Sequence, residues 1–241
     1  SIKFGPGKRF VNFGSAALGW IFSEEKFVKN NLSWLSFGKL RVSSGIVGGD
    51  AISDFQYLGI YESVSGSYDG KTGLVPSALP NPYLEWERNF NSEAGIELAF
   101  FNNRLTADFS YYHNRASNQL LGQPLSGVTG YSSYILNSDA LIRTSGTELM
   151  LNTTNIQTKH FNWSTSFNIS VPKSKILKLP SQSNQNTNYV LNKPVTGVLV
   201  YKYNGINPET GYYNFTNAKG ETGDYASGFT QADKTEFIDL S

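Results

Sequence analysis

The sequence predicts an all-β chain of antiparallel strands, and three observations predict it. Apolar residues recur with period two in several stretches, most plainly over residues 94–112 and 161–171. In the first of these the alternate face carries carboxylates that a packed core would reject. The connections fall into two classes, brief reversals and long polar segments. Two architectures satisfy all three: a sandwich with one wet face, and a membrane barrel with lipid outside and a polar lumen inside.

The totals narrow the field without deciding it. A chain of 241 residues can make one large β domain or two smaller ones. Aromatic residues reach 14% while charged residues are only 16%, against about a quarter in ordinary soluble domains. A formal net charge of +1, with no run of Lys or Arg, leaves no footprint for nucleic acid. With no cysteine there is neither a disulfide framework nor thiol chemistry. No apolar run approaches the roughly 18 residues of a membrane helix, but barrel strands interleave polar residues and would not show one. The chain begins Ser1-Ile2-Lys3 without a secretory signal and reads as a portion of something longer.

In chain order, a Gly- and Lys-rich lead over residues 1–9 precedes a strand over 10–20, with Asn12, Gly14, Ala16, Leu18 and Trp20 on one face. Ser23, Glu24, Glu25 and Lys26 ahead of Phe27 and Val28 predict a short capped helical turn. Residues 34–46 return as a strand, with Leu40, Val42 and Ile46 on one face and the basic Lys39 and Arg41 on the other. Residues 47–83 have no sustained periodicity and read as a loop long for a compact domain.

A hairpin follows. Ala94, Ile96, Leu98 and Phe100 alternate with Glu93, Gly95, Glu97 and Ala99, and the pattern resumes after Asn102 and Asn103 with Leu105, Ala107, Phe109 and Tyr111. Asn tolerates the positive φ of tight reversals, so Asn102 and Asn103 fix the register. Phe100 then faces Leu105 and Ile96 faces Phe109, while Glu97 falls across from Asp108 and Glu93 across from Tyr112. The carboxylates need water or a basic partner, and such a partner is expected to lie outside this sequence.

A second polar segment is expected over about residues 118–143, then strands over 146–153 and 161–171 joined by a short turn at 155–160. The last strand sets Phe161, Trp163, Thr165, Phe167, Ile169 and Val171 against Asn162, Ser164, Ser166, Asn168 and Ser170. A third polar region begins near Pro180, with a further strand or ordered loop at 195–205 and turn-like segments beyond. Tracing the strands up and down puts the short reversals on one rim and the long loops on the other, as in outer-membrane barrels. Trp20, Trp34, Tyr111, Phe161 and Trp163 sit near strand ends, where interfacial aromatics belong.

Several strings carry a resemblance: FGPGKRF and LGWIFSEEKF at residues 4–10 and 18–27, WLSFGKLRVSSGIVGGD at 34–50, LPNPYLEWE at 79–87, FFNNRL at 100–105, GTELMLNTTNIQTKHFNWSTSFNIS at 146–170 and YKYNGINPETG at 201–211. In order and across nearly the whole chain they resemble the SusC/RagA family of TonB-linked outer-membrane transporters. The resemblance implies an antiparallel transmembrane β-barrel segment, about eight strands of a plugged barrel of about 22. Its turns would be short and periplasmic, its loops long and extracellular. Residues 1–241 would be part of the barrel domain, with the plug domain, N-terminal region and closing strands outside it. The implied function is energy-coupled import of oligosaccharides or peptides across the bacterial outer membrane. The implied partners are a SusD-like surface lipoprotein, TonB acting through a missing N-terminal part, the glycan or peptide substrate and the lipid bilayer. A soluble carbohydrate-binding or adhesin-like β-sandwich is the alternative.

On the barrel reading Ile96, Leu98, Leu105, Phe109, Trp163, Phe167 and Ile169 face lipid, and Glu93, Glu97 and Asp108 face the lumen or plug. Loop tyrosines Tyr68, Tyr131, Tyr134, Tyr212 and Tyr213 are candidates for substrate or lid contact, because Tyr pairs a rigid apolar face with a hydroxyl. No enzyme is predicted. The neighbours Glu24 and Glu25, Glu85 and Glu87, and Asp233 and Glu236 give no sign of the separation a glycosidase needs. His113 and His160 lie outside metal spacing, and neither a nucleophile elbow nor a phosphate loop occurs. No cofactor is expected. Asn207, Glu209 and residues 217–224 offer oxygen ligands as calcium loops do, but Ala218, Gly220 and Thr222 break the alternation, so a plain turn is the better description.

Overall fold

The computed structural model describes residues 2–68, 71–181, 189–224 and 228–240. Its main feature is a six-stranded antiparallel sheet in the order β1-β2-β5-β6-β7-β8. The strands are β1 (Gly14–Trp20), β2 (Leu35–Gly49), β5 (Glu87–Phe100), β6 (Leu105–Pro124), β7 (Ser133–Gln157) and β8 (Asn162–Lys178). β3 (Ile60–Tyr68) and β4 (Lys71–Ala78) form a separate hairpin. β9 (Val198–Ile206), β10 (Tyr213–Thr216), β11 (Thr222–Asp224) and β12 (Lys234–Ile238) make a small sheet ordered β11-β10-β9-β12. Of the twelve described strands, six build the wall, β3 and β4 lie on the connection from β2 to β5, and β9 to β12 follow β8. β1 and β8 are the free edges, so the wall is an open arc and not a closed barrel.

Pairing follows the hydrophobic pattern. Phe100 opposes Leu105, Leu98 opposes Ala107, Ile96 opposes Phe109 and Glu97 opposes Asp108, as the alternation predicts. The reversal occupies residues 101–104, where Phe101, Asn102 and Asn103 have φ of 54°, 56° and 65°. Two asparagines suit that left-handed run. Ser36 Oγ accepts hydrogen bonds from the Asn102 and Asn103 amides at 2.8 and 3.4 Å. At the next short turn the Phe161 amide donates to Thr158 Oγ1 at 3.0 Å and the Thr158 amide to the Phe161 carbonyl at 2.8 Å. The connection between β1 and β2 holds a 3-10 turn, Phe22–Glu24, and the helix α1, Lys26–Asn31. Neither has the expected side-chain cap. Glu25 instead accepts from Trp20 Nε1 at 3.1 Å, and Glu24 pairs with Lys29 at 2.6 Å.

Two segments expected to be loops are largely strand. β6 continues to Pro124 and β7 starts at Ser133, so most of residues 118–143 is a tall hairpin, and residues 47–83 contain β3 and β4. In the β6–β7 extension the apolar residues come as adjacent pairs, Leu120-Leu121 and Ile135-Leu136, so the period-two signal that identifies a half-buried strand is absent. A small core sits at this end, where Phe4, Leu84 and Leu120 pack with Trp86, Tyr57, Ile52 and Ile135. Asparagines strap residues 79–87 to the tall hairpin. Asn137 Nδ2 donates to the Glu85 carbonyl at 2.7 Å, its Oδ1 accepts from the Glu85 amide at 2.8 Å, and Asn118 Nδ2 donates to the Trp86 carbonyl at 2.9 Å.

No other sheet packs against the wall among the described residues. A sandwich requires one. The side chains it would cover stand open: Leu18 is 82% exposed, Val42 55% and Phe167 51%.

Candidate functional site

The register sorts the wall into two faces. Row by row, Trp20, Leu40, Ile96, Phe109, Leu149 and Ile169 are consecutive partners across all six strands. Leu98, Ala107, Leu151 and Phe167 make the next row, and Phe100 meets Leu105 beyond it. Trp163 closes this face near the short turn, paired with Ile156. Trp34 stacks on Phe100 at 5.5 Å and Trp20 meets Phe22 edge-on at 5.9 Å near the same rim. All seven residues predicted for one apolar surface therefore share a face.

The opposite face carries the charges. Lys39 pairs with Glu97, Glu97 with Asp108, Ser43 with Glu93, and Arg41 with Gly95. Gly95 matters because a Cβ there would lie 2.8 Å from Arg41 Nε and 2.9 Å from Cζ. With only hydrogen present, the guanidinium lies across β5 and reaches carboxylates on two strands. Arg41 Nη1 bonds Glu93 Oε1 at 2.5 Å, Nη2 bonds Asp108 Oδ1 at 3.0 Å, and Nε sits 3.3 Å from Glu97 Oε1. Lys39 Nζ completes the cluster at 3.2 Å from Glu97 Oε1. Arg41 Nε is buried and makes no hydrogen bond, so its contact with Glu97 is an ion pair only.

The partners of Glu93, Glu97 and Asp108 thus lie within this chain, contrary to the expectation that they lie outside it. The reason is topological. β2 pairs with β5 across the long connection that contains β3 and β4, which brings a basic strand face beside an acidic one. The available signal was parity: Lys39 and Arg41, two residues apart on one strand, and Glu93 and Glu97, four apart on another, each keep to a single face. A recess of about 390 Å³ opens beside the cluster, lined by Arg41, Glu93, Asp108, Glu148, Asn168 and Ser170. Ser170 Oγ donates to Glu148 Oε1 across it at 3.2 Å. Wide, open and lined by both polar and apolar groups, the recess suits water or a docked surface.

The loop tyrosines are spread over separate elements. Tyr131 and Tyr134 are half-buried on the β6–β7 hairpin. Tyr212 and Tyr213 are 65% and 63% exposed on the small sheet, with Tyr213 edge-on to Tyr203 at 5.9 Å. Tyr68 ends β3, and its side chain lies outside the described residues. The oxygen-rich turns close on themselves. Asn207 Oδ1 accepts from the Glu209 amide at 2.9 Å, and Asn217 Oδ1 accepts from Lys219 and Glu221 at 3.0 and 2.9 Å. The Thr230 amide holds the Asp233 carboxyl below the usual range, with the Thr230 hydroxyl and the Ala218 amide adding to the effect. Glu85 pairs with Lys8, and Glu87 accepts the Leu120 amide at 2.9 Å. Among the described residues no three His, Asp or Glu converge as metal ligands.

Comparison with known proteins agrees with this geometry. The family described as TonB dependent receptor-like, beta-barrel matches residues 8–239. TonB-dependent receptor P3 of Formosa agariphila is 33% identical over 182 residues, which is 75% of this chain and 18% of that protein. TonB-dependent receptor SusC of Bacteroides thetaiotaomicron is 30% identical over 185 residues, 74% of this chain and 18% of that one. The chain therefore spans under a fifth of the length of these relatives. A structure of the RagAB peptide transporter superposes on 99% of this chain and 27% of its own, with TM-score 0.83 and 25% identity. RagAB in its open-open state does so over 100% and 26%, with TM-score 0.78 and 26% identity.

Proposed function

Because the chain belongs to the TonB-dependent receptor-like β-barrel family, with SusC/RagA-type relatives in the bacterial outer membrane, we propose that it is a stretch of the wall of an energy-coupled nutrient importer. The observation that carries this is the two-faced open sheet, uncovered and apolar on one side and charged on the other. Ile96, Leu98, Leu105, Phe109, Trp163, Phe167 and Ile169 face the hydrocarbon. The belt from Trp163 to Val171 on β8 rises about 20 Å for a strand tilted by about 40°, close to the apolar band of about 25 Å in such barrels. Glu93, Glu97 and Asp108 face the lumen, where Arg41 and Lys39 offset two of their three charges and leave a tied-down surface for a plug domain to rest on. The plug and the strands that join the free edges of β1 and β8 lie outside residues 1–241.

The cargo is an oligosaccharide, held by exposed rings such as Tyr212 and Tyr213 on the loop side, with a SusD-like lipoprotein as lid and TonB as the energy source. The likeness to a peptide transporter favours a second reading, in which the cargo is a peptide. Uptake of labelled oligosaccharide and labelled peptide by cells with and without the intact receptor, each with and without a protonophore, tests both. Energy-dependent, receptor-dependent uptake of one class assigns it, and uptake unaffected by deleting the receptor rejects importer function. The face assignment has its own test in a nitroxide label at I169C. Strong oxygen and weak nickel-chelate accessibility is expected in a bilayer, and the reverse rejects it.

A further inference from the structure

Toward the long-loop rim the apolar face turns basic. Arg115 of β6 lies opposite Arg143 of β7, and Arg143 lies opposite Lys175 of β8. One step closer to the belt, His113 faces Ser145, and Ser145 faces Lys173. By register these residues continue the face that bears Tyr111, Thr147 and Val171. On a strand tilted by about 40°, Lys173 and Lys175 stand roughly 5 and 10 Å above Val171, the depth of the headgroup layer over a hydrocarbon core of about 30 Å.

Like charges placed directly opposite on a sheet repel, and three in a line need a counter-charge. The described residues do not supply it. Among the described residues no carboxylate lies within ion-pair distance of Arg115, Arg143, Lys173 or Lys175. Arg115 Nε donates to His113 Nε2 at 3.2 Å. Lys178, just beyond, is paired with Asp139 at 2.8 Å, so the shortage is confined to the row. Asp139 of β7 is held by Lys178 and Ser181, Glu87 of β5 accepts the Leu120 amide, and Glu93, Glu97, Asp108 and Glu148 project from the other face.

We propose that Arg115, Arg143, Lys173 and Lys175 bind the phosphate-bearing headgroup of an anionic outer-leaflet lipid, whose acyl chains lie on Tyr111, Thr147 and Val171. A basic row continuous with an apolar belt on the same strands matches an amphiphile with phosphates at one end. A free anion would use the row but not the belt. The site rests on the lipid-facing assignment of this face and adds a ligand to it.

The test uses the intact receptor in phosphatidylcholine nanodiscs, with diphosphorylated lipid A as the titrated probe and native mass spectrometry as the readout. A basic residue at a membrane surface is worth about a factor of five in affinity, so R115Q/R143Q/K175Q should weaken lipid A binding about a hundredfold. R115K/R143K should retain binding within a few-fold, and K219Q on the small sheet should not change it. Undiminished binding by the triple variant overturns the proposal, as does displacement of lipid A by an equal concentration of inorganic phosphate. The I169C label separates the two levels. A bilayer signal with unchanged lipid capture rejects the lipid site alone, whereas an aqueous signal rejects the face assignment and the site with it.

Discussion

Gly95 on β5 faces Arg41 on β2, and the missing side chain of the first gives the guanidinium of the second its place. From there one cation binds Glu93 and Asp108 and approaches Glu97, three carboxylates that the register would otherwise leave in mutual repulsion.

Gly95→Ala should displace that guanidinium. The atoms a new Cβ meets belong to the end of a flexible side chain, so the steric cost is small and the lost pairing dominates. These side chains are about one-third exposed, which screens each bridge to the low end of the range. A loss of about 1 kcal/mol in unfolding of the intact receptor is expected, and an unchanged midpoint would show that Arg41 finds equal partners elsewhere.

Arg41→Gln leaves Lys39 alone among Glu93, Glu97 and Asp108 and should destabilise by about 1–2 kcal/mol. Adding Asp108→Asn removes one of the stranded charges. The double variant should recover about 0.5–1 kcal/mol relative to additivity. Strict additivity in a double-mutant cycle would mean that the two groups do not communicate.

Ile169→Arg and Asn168→Arg are adjacent on β8 but lie on opposite faces. If the apolar face meets hydrocarbon, the first costs about 2–4 kcal/mol near the membrane midplane, and the second far less. Equal folding yields of the two receptors in vesicles would contradict the assignment.

Asn137→Ala removes both bonds to the Glu85 backbone and strands its amide and carbonyl in a part-buried site. The expected cost is about 1–3 kcal/mol. It should be local, appearing as faster hydrogen exchange over residues 79–87 with the wall unchanged.

Above the belt, Lys178 holds the Asp139 carboxyl far below its ordinary value of 3.8, and the hydroxyl and amide of Ser181 hold it further. The Lys178 bond is 2.8 Å and the Ser181 amide bond 2.8 Å. A depressed folded pKa means that the stabilisation is complete above the unfolded value and is lost as pH falls below it toward the folded one. The tie between β7 and the end of β8 should therefore hold at neutral pH and loosen only below about pH 4. Its contribution is no more than about 1 kcal/mol for so exposed a pair. The protection factor of the Ser181 amide, which removes the intrinsic pH dependence of exchange, should fall on acidification in the parent and stay constant through the same range in Asp139→Asn.

Much of the fold was legible because strands with one apolar face carry their own code. Period two placed β5, β6 and β8, and Asn102 and Asn103 set a register that holds from Phe100 and Leu105 to Glu93 and Tyr112. The tall extensions of β6 and β7 were not legible. Polar residues such as Asn118, Gln119, Asn137 and Ser138 fall on both faces and the apolar ones come as the adjacent pairs Leu120-Leu121 and Ile135-Leu136, so nothing in their order separates a strand from a loop.

The sequence by itself determined the period-two strands, which of their residues share each face, and the family, all of which rest on local alternation and short motifs. Only the tertiary structure decided which strands are neighbours. Local order does not record that β5 returns to β2 across the long connection, and that pairing sets Arg41 over Gly95 among the carboxylates. The same lateral pairing lines up Arg115, Arg143 and Lys175, which are far apart in the chain and adjacent only across three strands. Charge pairing on one face and the basic row on the other are both products of strand order.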